Sequence, residues 1–303
     1  MTWPTWGNER TRIAAALRNH AQPLPGIANQ QALETLAMQF VASLRRERYY
    51  QLVQRKRISP DRADPNHPSF DAERAVAYHV QRDNFDEAAW LIFLMTHFAR
   101  PADTGWLRLR DVYGKLGQGT WDWATVTANP GSFTAWLAAN WQNVRGKFGN
   151  HRKYESLRPD ASRPMSRVVE GYIRWIGLQG HASFFGNIVR HAGNDPHRIF
   201  DALYQDLPIP TFGRLAKFDY LSLIGRYGIA PITAGSAYLN GATGPAAGAR
   251  LLFDGVRNGP STNRHLQAQL DALDIELGVG MTVMEDALCN WQKSPMTFVH
   301  YKG

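Results

Sequence analysis

The sequence predicts an all-α protein, and three observations carry that expectation. No stretch alternates apolar and polar residues with a period of two for long enough to build a sheet. Apolar residues recur instead at i, i+3, i+4 and i+7, the spacing that lines one face of a helix. Prolines and glycines fall between these runs and so separate helices. At 303 residues, 44% hydrophobic and 20% charged, the chain is long enough to bury a large core. We expect one helical catalytic unit over 1–303, with lobes of about 1–205 and 206–303.

The first such helix runs through Leu33, Leu36, Ala37, Phe40, Val41 and Leu44, and the basic "RRERYYQLVQRKR" after it keeps helical propensity with a solvated face. Three prolines in "ISPDRADPNHPSF" then break the chain. Asp71 suits an N-cap for "AERAVAYHVQR", and Asn84 begins "NFDEAAWLIFLMTHFARP", which reads as a buried helix ending before Pro101. Trp106, Trp121, Trp123, Trp136 and Trp141 follow in a stretch where Pro130 and Gly131 separate two short helices; core packing accounts for most of them. Residues 167–191 read as helical, and "PHRIFDALYQDLPIPTFGR" as a helix followed by a proline-marked turn. A helix over 217–227, the glycine-rich "YLNGATGPAAGARLLF", a helix from about Ser261 to Leu277 and a final helix "TVMEDALCNWQK" complete the order.

Thirty-four Lys and Arg against 26 Asp and Glu give a net charge of +8, and arginine predominates, which suits bidentate contacts to phosphate. Nucleic acid, an anionic surface or acidic small molecules are the partners such a charge admits. The single cysteine, Cys289, excludes an internal disulfide and any cysteine-rich zinc or iron–sulfur site. None of the ten histidines forms an HExxH or HxxxH pair, so neither a metal nor another cofactor is expected. No apolar run approaches 18 residues, and "MTWPTWGNERTR" lacks the basic-then-apolar order of a signal peptide. The expectation is a soluble cytoplasmic protein with no membrane partner and no obligate protein partner.

Three stretches could carry chemistry. In "LNGATGPAAGARLLF", Gly241, Thr243 and Gly244 precede a helix start marked by Pro245, and such an N-terminus turns free N–H groups outward, where a phosphate can accept them. The bland alternative is an ordinary glycine loop. In "KFGNHRKYESLRP", Arg152 and Lys153 stand beside Asn150, His151 and Tyr154, the mixture of cations and aromatic faces used by nucleic-acid channels and equally by exposed basic loops. In "VMEDALCNWQKSP", Glu285 and Asp286 lie about 100° apart on a helix, so one of them at most points squarely into a given pocket. Asn290, Gln292 and Lys293 follow on the same helix, while Arg214, Lys217 and Asp219 stand just before the glycine segment.

These stretches, with "DEAAWLIFLMTHF", "WLRLRDVYGKLG", "FGRLAKFDYL" and "EDALCNWQKSP", resemble the family called alpha-glutamyl/putrescinyl thymine pyrophosphorylase, clade 3, from about residue 30 to the C-terminus. The resemblance implies a two-lobed helical DNA-glycosylase-like fold with a helix-hairpin-helix. It also implies base-directed chemistry on double-stranded DNA carrying modified pyrimidines, because the wider family includes phage enzymes that decorate 5-hydroxymethylpyrimidines and an antiphage glycosylase that removes glucosylated hydroxymethylcytosine. On this resemblance the catalytic carboxylate is Asp286 or Glu285, after a spacer longer than usual. Asn150, His151, Tyr154, Asn290, Gln292 and Asp219 would form the base pocket. Gly241, Thr243, Gly244, Arg152, Lys153, Arg214, Lys217 and Lys293 would hold DNA. Where bifunctional glycosylases carry a lysine after the hairpin glycine, this sequence has Pro245 and Ala246, which implies excision that stops at an abasic site. Transfer or pyrophosphorolysis at the base, and non-catalytic binding of modified DNA, are the rival readings.

Overall fold

A computed structural model describes residues 3–301. Among them are fourteen α-helices and no strand, so the chain is all-α. The first helices are α1 (Gly7–Asn19), α2 (Gln30–Arg55), α3 (Ala72–Val80), α4 (Phe85–Phe98) and α5 (Leu107–Tyr113). Next come α6 (Trp123–Ala128), α7 (Pro130–Asn140), α8 (Met165–Ile176), α9 (Gly180–Ala192) and α10 (Pro196–Gln205). The last are α11 (Arg214–Arg226), α12 (Gly244–Asp254), α13 (Asn263–Leu277) and α14 (Met281–Trp291).

Side-chain caps set many of the starts. Asp71 accepts from the Arg74 N–H at 3.0 Å and Asn84 from the Glu87 N–H at 3.4 Å, each satisfying one of the donors a helix N-terminus leaves unpaired. Asn129 caps α7, with Pro130 at its first position. The basic run after Leu44 is continuous with α2, as its propensity suggests. The stretch 167–191 differs from expectation. It is two helices, because Gly177 (φ 79°) and Gly180 (φ 78°) adopt left-handed backbone that turns the chain between α8 and α9. α1 carries no strong periodic signal, yet it buries Ile13, Ala14 and Leu17.

The chain forms two compact units. One joins the chain up to Tyr49 with the chain from Ala234, and the other is Tyr50–Thr233. The boundaries fall at 49/50 and 233/234, and α1 packs on α13 and so closes the first unit across the chain. In that unit α12 lies against α14 and α13 over Leu252, Leu266, Leu270, Leu273, Leu288 and Trp291. In the second unit α4 is the central helix, buried from Glu87 to His97 and packed by α3, α5, α9 and α11. Its rings continue a stack: Phe93 lies 4.0 Å from Tyr172 and 5.5 Å from Phe212, centroid to centroid.

The glycine segment is not the turn of a helix-hairpin-helix. Residues 227–243 separate α11 from α12, and the two helices belong to different units. The helix before α11 is α10, joined to it by 206–213 with Pro208, Pro210 and Gly213 in the turn.

Candidate functional site

Asp286 anchors a polar cluster in the first unit. The Ser43 hydroxyl donates to its Oδ2 at 2.5 Å, the Arg46 guanidinium meets the same oxygen, and the Asn290 amide donates to Oδ1 at 2.9 Å. Lys293 Nζ in turn donates to Asn290 Oδ1 at 2.9 Å and lies over the Tyr301 ring. The spacing explains the convergence, since Ser43 and Arg46 share one face of α2 while Asp286 and Asn290 share one face of α14. About one third of the Asp286 side chain is exposed, whereas its neighbour Glu285 is buried. Gln292 turns away from this group and donates to the Cys289 carbonyl at 3.3 Å.

The basic stretch 147–159 divides sharply. Asn150, His151, Lys153 and Tyr154 are exposed, and Tyr154 keeps 71% of its surface. Arg152 is buried and is not available to DNA. It donates to the Thr211 carbonyl at 2.8 Å, to the Thr211 hydroxyl at 3.0 Å and to the His97 carbonyl at 3.3 Å, and its guanidinium stacks over Phe212. Burial pushes its pKa down, offset in part by the nearby Glu155 and Asp219 carboxylates. Arg152 therefore holds the α10–α11 turn, with Thr211 at φ 67° stabilised by it. Lys217 donates to the Tyr204 carbonyl at 3.2 Å, tying α11 to α10, and the Arg214 guanidinium lies over Phe218.

Gly241, at φ 74°, sits in a turn closed by the Ala242 N–H on the Leu239 carbonyl, where left-handed backbone favours glycine. Thr243 is exposed beside it. Gly244 has a different reason to be glycine: a Cβ there would meet Cys289 Sγ at 2.6 Å. At Gly248 a Cβ would meet the Leu288 carbonyl oxygen at 2.3 Å. These two glycines let α12 approach α14 closely, a packing role that the sequence did not suggest.

The second unit contains a site that motif reasoning missed. A cavity of about 520 Å³ is lined by Asp64, Asn84, Asp86, Glu87 and Asp122, with Tyr78, His79, Tyr113 and Trp123 among its walls. Glu87 is buried, receives the Tyr113 hydroxyl, and accepts the Trp123 N–H at 2.7 Å. Burial pushes its pKa up to about 7; the Trp123 and Tyr113 hydrogen bonds oppose the rise, and the Asp122 and Asp86 charges add to it. Burial lowers His79 to about 4, with Arg82 adding to the shift, so this imidazole is neutral near pH 7.

Asp86 stays ionised. Its Oδ1 accepts the His181 ring Nδ1–H at 2.8 Å and the His181 backbone N–H at 2.6 Å, and the side-chain bond leads the fall in its pKa. With the proton on Nδ1, His181 Nε2 accepts from Tyr172 at 2.6 Å, and Tyr172 contacts Tyr220 at 3.0 Å. Burial keeps His181 itself neutral against the pull of Asp86. A carboxyl group whose pKa is raised to about 7 thus stands beside the ionised Asp86 in a walled space, the pairing that separates acid from base roles in catalytic sites. The sequence signal was an acidic pair in the first turn of α4: Glu87 falls on a helix whose every face is apolar, and Asp122 lies between Trp121 and Trp123.

Among the described residues no helix is long and apolar enough to cross a membrane, and no group of three or more His, Cys, Asp or Glu side chains could hold a metal ion. No curated protein and no solved structure matches the chain. A family model does, over residues 31–303, which takes in both the cavity and the Asp286 cluster. On that match, the chain belongs to the alpha-glutamyl/putrescinyl thymine pyrophosphorylase clade 3 family.

Proposed function

We propose that this chain is a DNA glycosylase that excises a hypermodified pyrimidine, a glucosylated 5-hydroxymethyl base being the preferred candidate, and leaves an abasic site as an antiphage defence. The observation that carries the reading is the cavity of the second unit, where Glu87 keeps its proton to about pH 7 beside Asp86 and Asp122. Its volume exceeds that of a pyrimidine, and its tyrosine, tryptophan and carboxylate walls suit a base bearing a hydroxyl-rich substituent. The family description, which names a thymine, and the net charge of +8 favour a base in DNA as the substrate.

In this mechanism the modified nucleotide leaves the stack and enters the cavity. Glu87 gives its proton to the departing base as the C1′–N bond breaks, and an ionised carboxylate stabilises the oxocarbenium-like sugar. Water adds at C1′ and its released proton returns to Glu87. The products are free base and an abasic sugar. No lysine lines the cavity, which favours hydrolysis over a Schiff base and leaves the strand intact.

A second reading is favoured by the Asp286 cluster, where Arg46 and Lys293 could hold a pyrophosphate while Asp286 orients the attacking group. It fits the family description directly. The deciding experiment incubates the protein and its Glu87→Gln and Asp286→Asn variants with glucosylated hydroxymethylcytosine DNA, with pyrophosphorylated hydroxymethyluracil DNA and with unmodified DNA. Excision requires free base and abasic sites from glucosylated DNA, reduced at least about a hundredfold in Glu87→Gln with DNA binding retained. Pyrophosphate release lost in Asp286→Asn, with no abasic sites, would establish the second reading. Full activity of Glu87→Gln would remove Glu87 from the mechanism.

A further inference from the structure

The loop between α8 and α9 presents an apolar side chain to solvent beside the cavity. Leu178 is 84% exposed, and Gln179 next to it is also exposed. A lone exposed leucine needs no explanation in general; this one is built differently. Gly177 at φ 79° ends α8 by donating its N–H to the Ile173 carbonyl at 2.8 Å, and Gly180 at φ 78° opens α9. The two left-handed glycines make a tight turn whose tip is Leu178.

The turn is fastened to the cavity wall. Asp86, which lines the cavity, accepts both His181 N–H groups, and a Cβ at Gly180 would lie 2.7 Å from Asp86 Oδ2. His181 is fully buried and linked onward to Tyr172 and Tyr220, so the anchor lies inside the unit while the leucine points out of it. Arg167 and Arg174 are exposed on α8, which leads into the turn. A cation in the last turn of α8 before an apolar tip that is anchored to a residue lining a base-sized cavity is an arrangement by which proteins unstack a duplex: the cation holds a phosphate and the apolar side chain enters between base steps.

We propose that Leu178 is a positioning residue that inserts into the duplex and fills the space vacated when the modified nucleotide enters the cavity. The proposal rests on the cavity as base pocket but not on what is done to the base there. Unstacking costs a few kcal/mol, and an inserted side chain offsets part of it by restoring stacking contact to the neighbouring bases. Only duplex substrates need this help.

The test uses the full chain and a duplex with glucosylated hydroxymethylcytosine and 2-aminopurine as its 3′ neighbour. Wild-type protein should raise 2-aminopurine fluorescence. Leu178→Ala should reduce that rise at least about fivefold at equal DNA occupancy, and Leu178→Phe should restore most of it. With the same base in single-stranded DNA, Leu178→Ala should work as wild type does. A wild-type fluorescence rise in Leu178→Ala, equal losses on duplex and single strand, or no rise with the wild-type protein would each overturn the proposal. A Leu178-dependent rise without release of base would uphold the wedge and overturn excision, so the two failures are told apart.

Discussion

At the scale of the residue, Glu87 is the side chain whose chemistry departs furthest from its type. Its pKa is raised in the folded state, so the native protein binds a proton that the unfolded chain has lost; stability from this group is fully present below about 4.5 and is lost as pH rises through about 7. At about 1.4 kcal/mol per pKa unit the loss across that window is of the order of 2–3 kcal/mol. Thermal denaturation from pH 5 to pH 8 should therefore show a fall in wild-type stability that Glu87→Gln lacks, and an identical pH profile for both proteins would refute it. Glu87 was unreadable in the sequence as a site because its burial depends on α5 and α6, which bring Tyr113 and Trp123 to it. Asp286 was legible as a polar helix position, but its partner Arg46 stands 240 positions away. Arg152 shows the opposite error of scale: charge and neighbours suggested a phosphate ligand, whereas three acceptors on Thr211 and His97 make it an internal brace.

At the scale of the element, caps and punctuation were legible because they act locally. Asp71, Asn84 and Pro130 each mark a helix start that the backbone obeys. Glycine was ambiguous, since the same residue type serves a turn at Gly241 and a helix contact at Gly248. The contact reading has a direct consequence. A Cβ at Gly248 would strike the Leu288 carbonyl oxygen, backbone that cannot move without shifting α14. Gly248→Ala should destabilise the protein by about 1–3 kcal/mol, the usual cost of overpacking, measured as a lower urea midpoint at unchanged slope. DNA affinity per folded molecule should be unaffected; a loss of affinity without loss of stability would instead give the glycine a ligand-binding role.

At the scale of the whole molecule, the net charge of +8 makes an ionic-strength prediction. Where DNA binding rests on several arginine and lysine contacts to phosphate, affinity should fall at least about a hundredfold between 50 and 200 mM salt. Equilibrium binding to modified and unmodified duplexes across that range checks it, and a flat response would show that the basic excess serves something other than DNA. The acid-lined cavity disfavours phosphate, which agrees with the proposal that a base and not the DNA backbone enters it.

By itself the sequence determined the all-α class, most of the helix starts, the basic balance and the family, because propensity, capping and composition act within a few residues or over the chain as a sum. Only the tertiary structure decided that α1 and α2 join α12, α13 and α14 in one unit, that Gly244 and Gly248 serve packing, and that Glu87 is buried in a cavity wall with its pKa raised. The reason is physical: burial, desolvation and close approach are properties of groups brought together from distant positions, and no local pattern records which groups those will be.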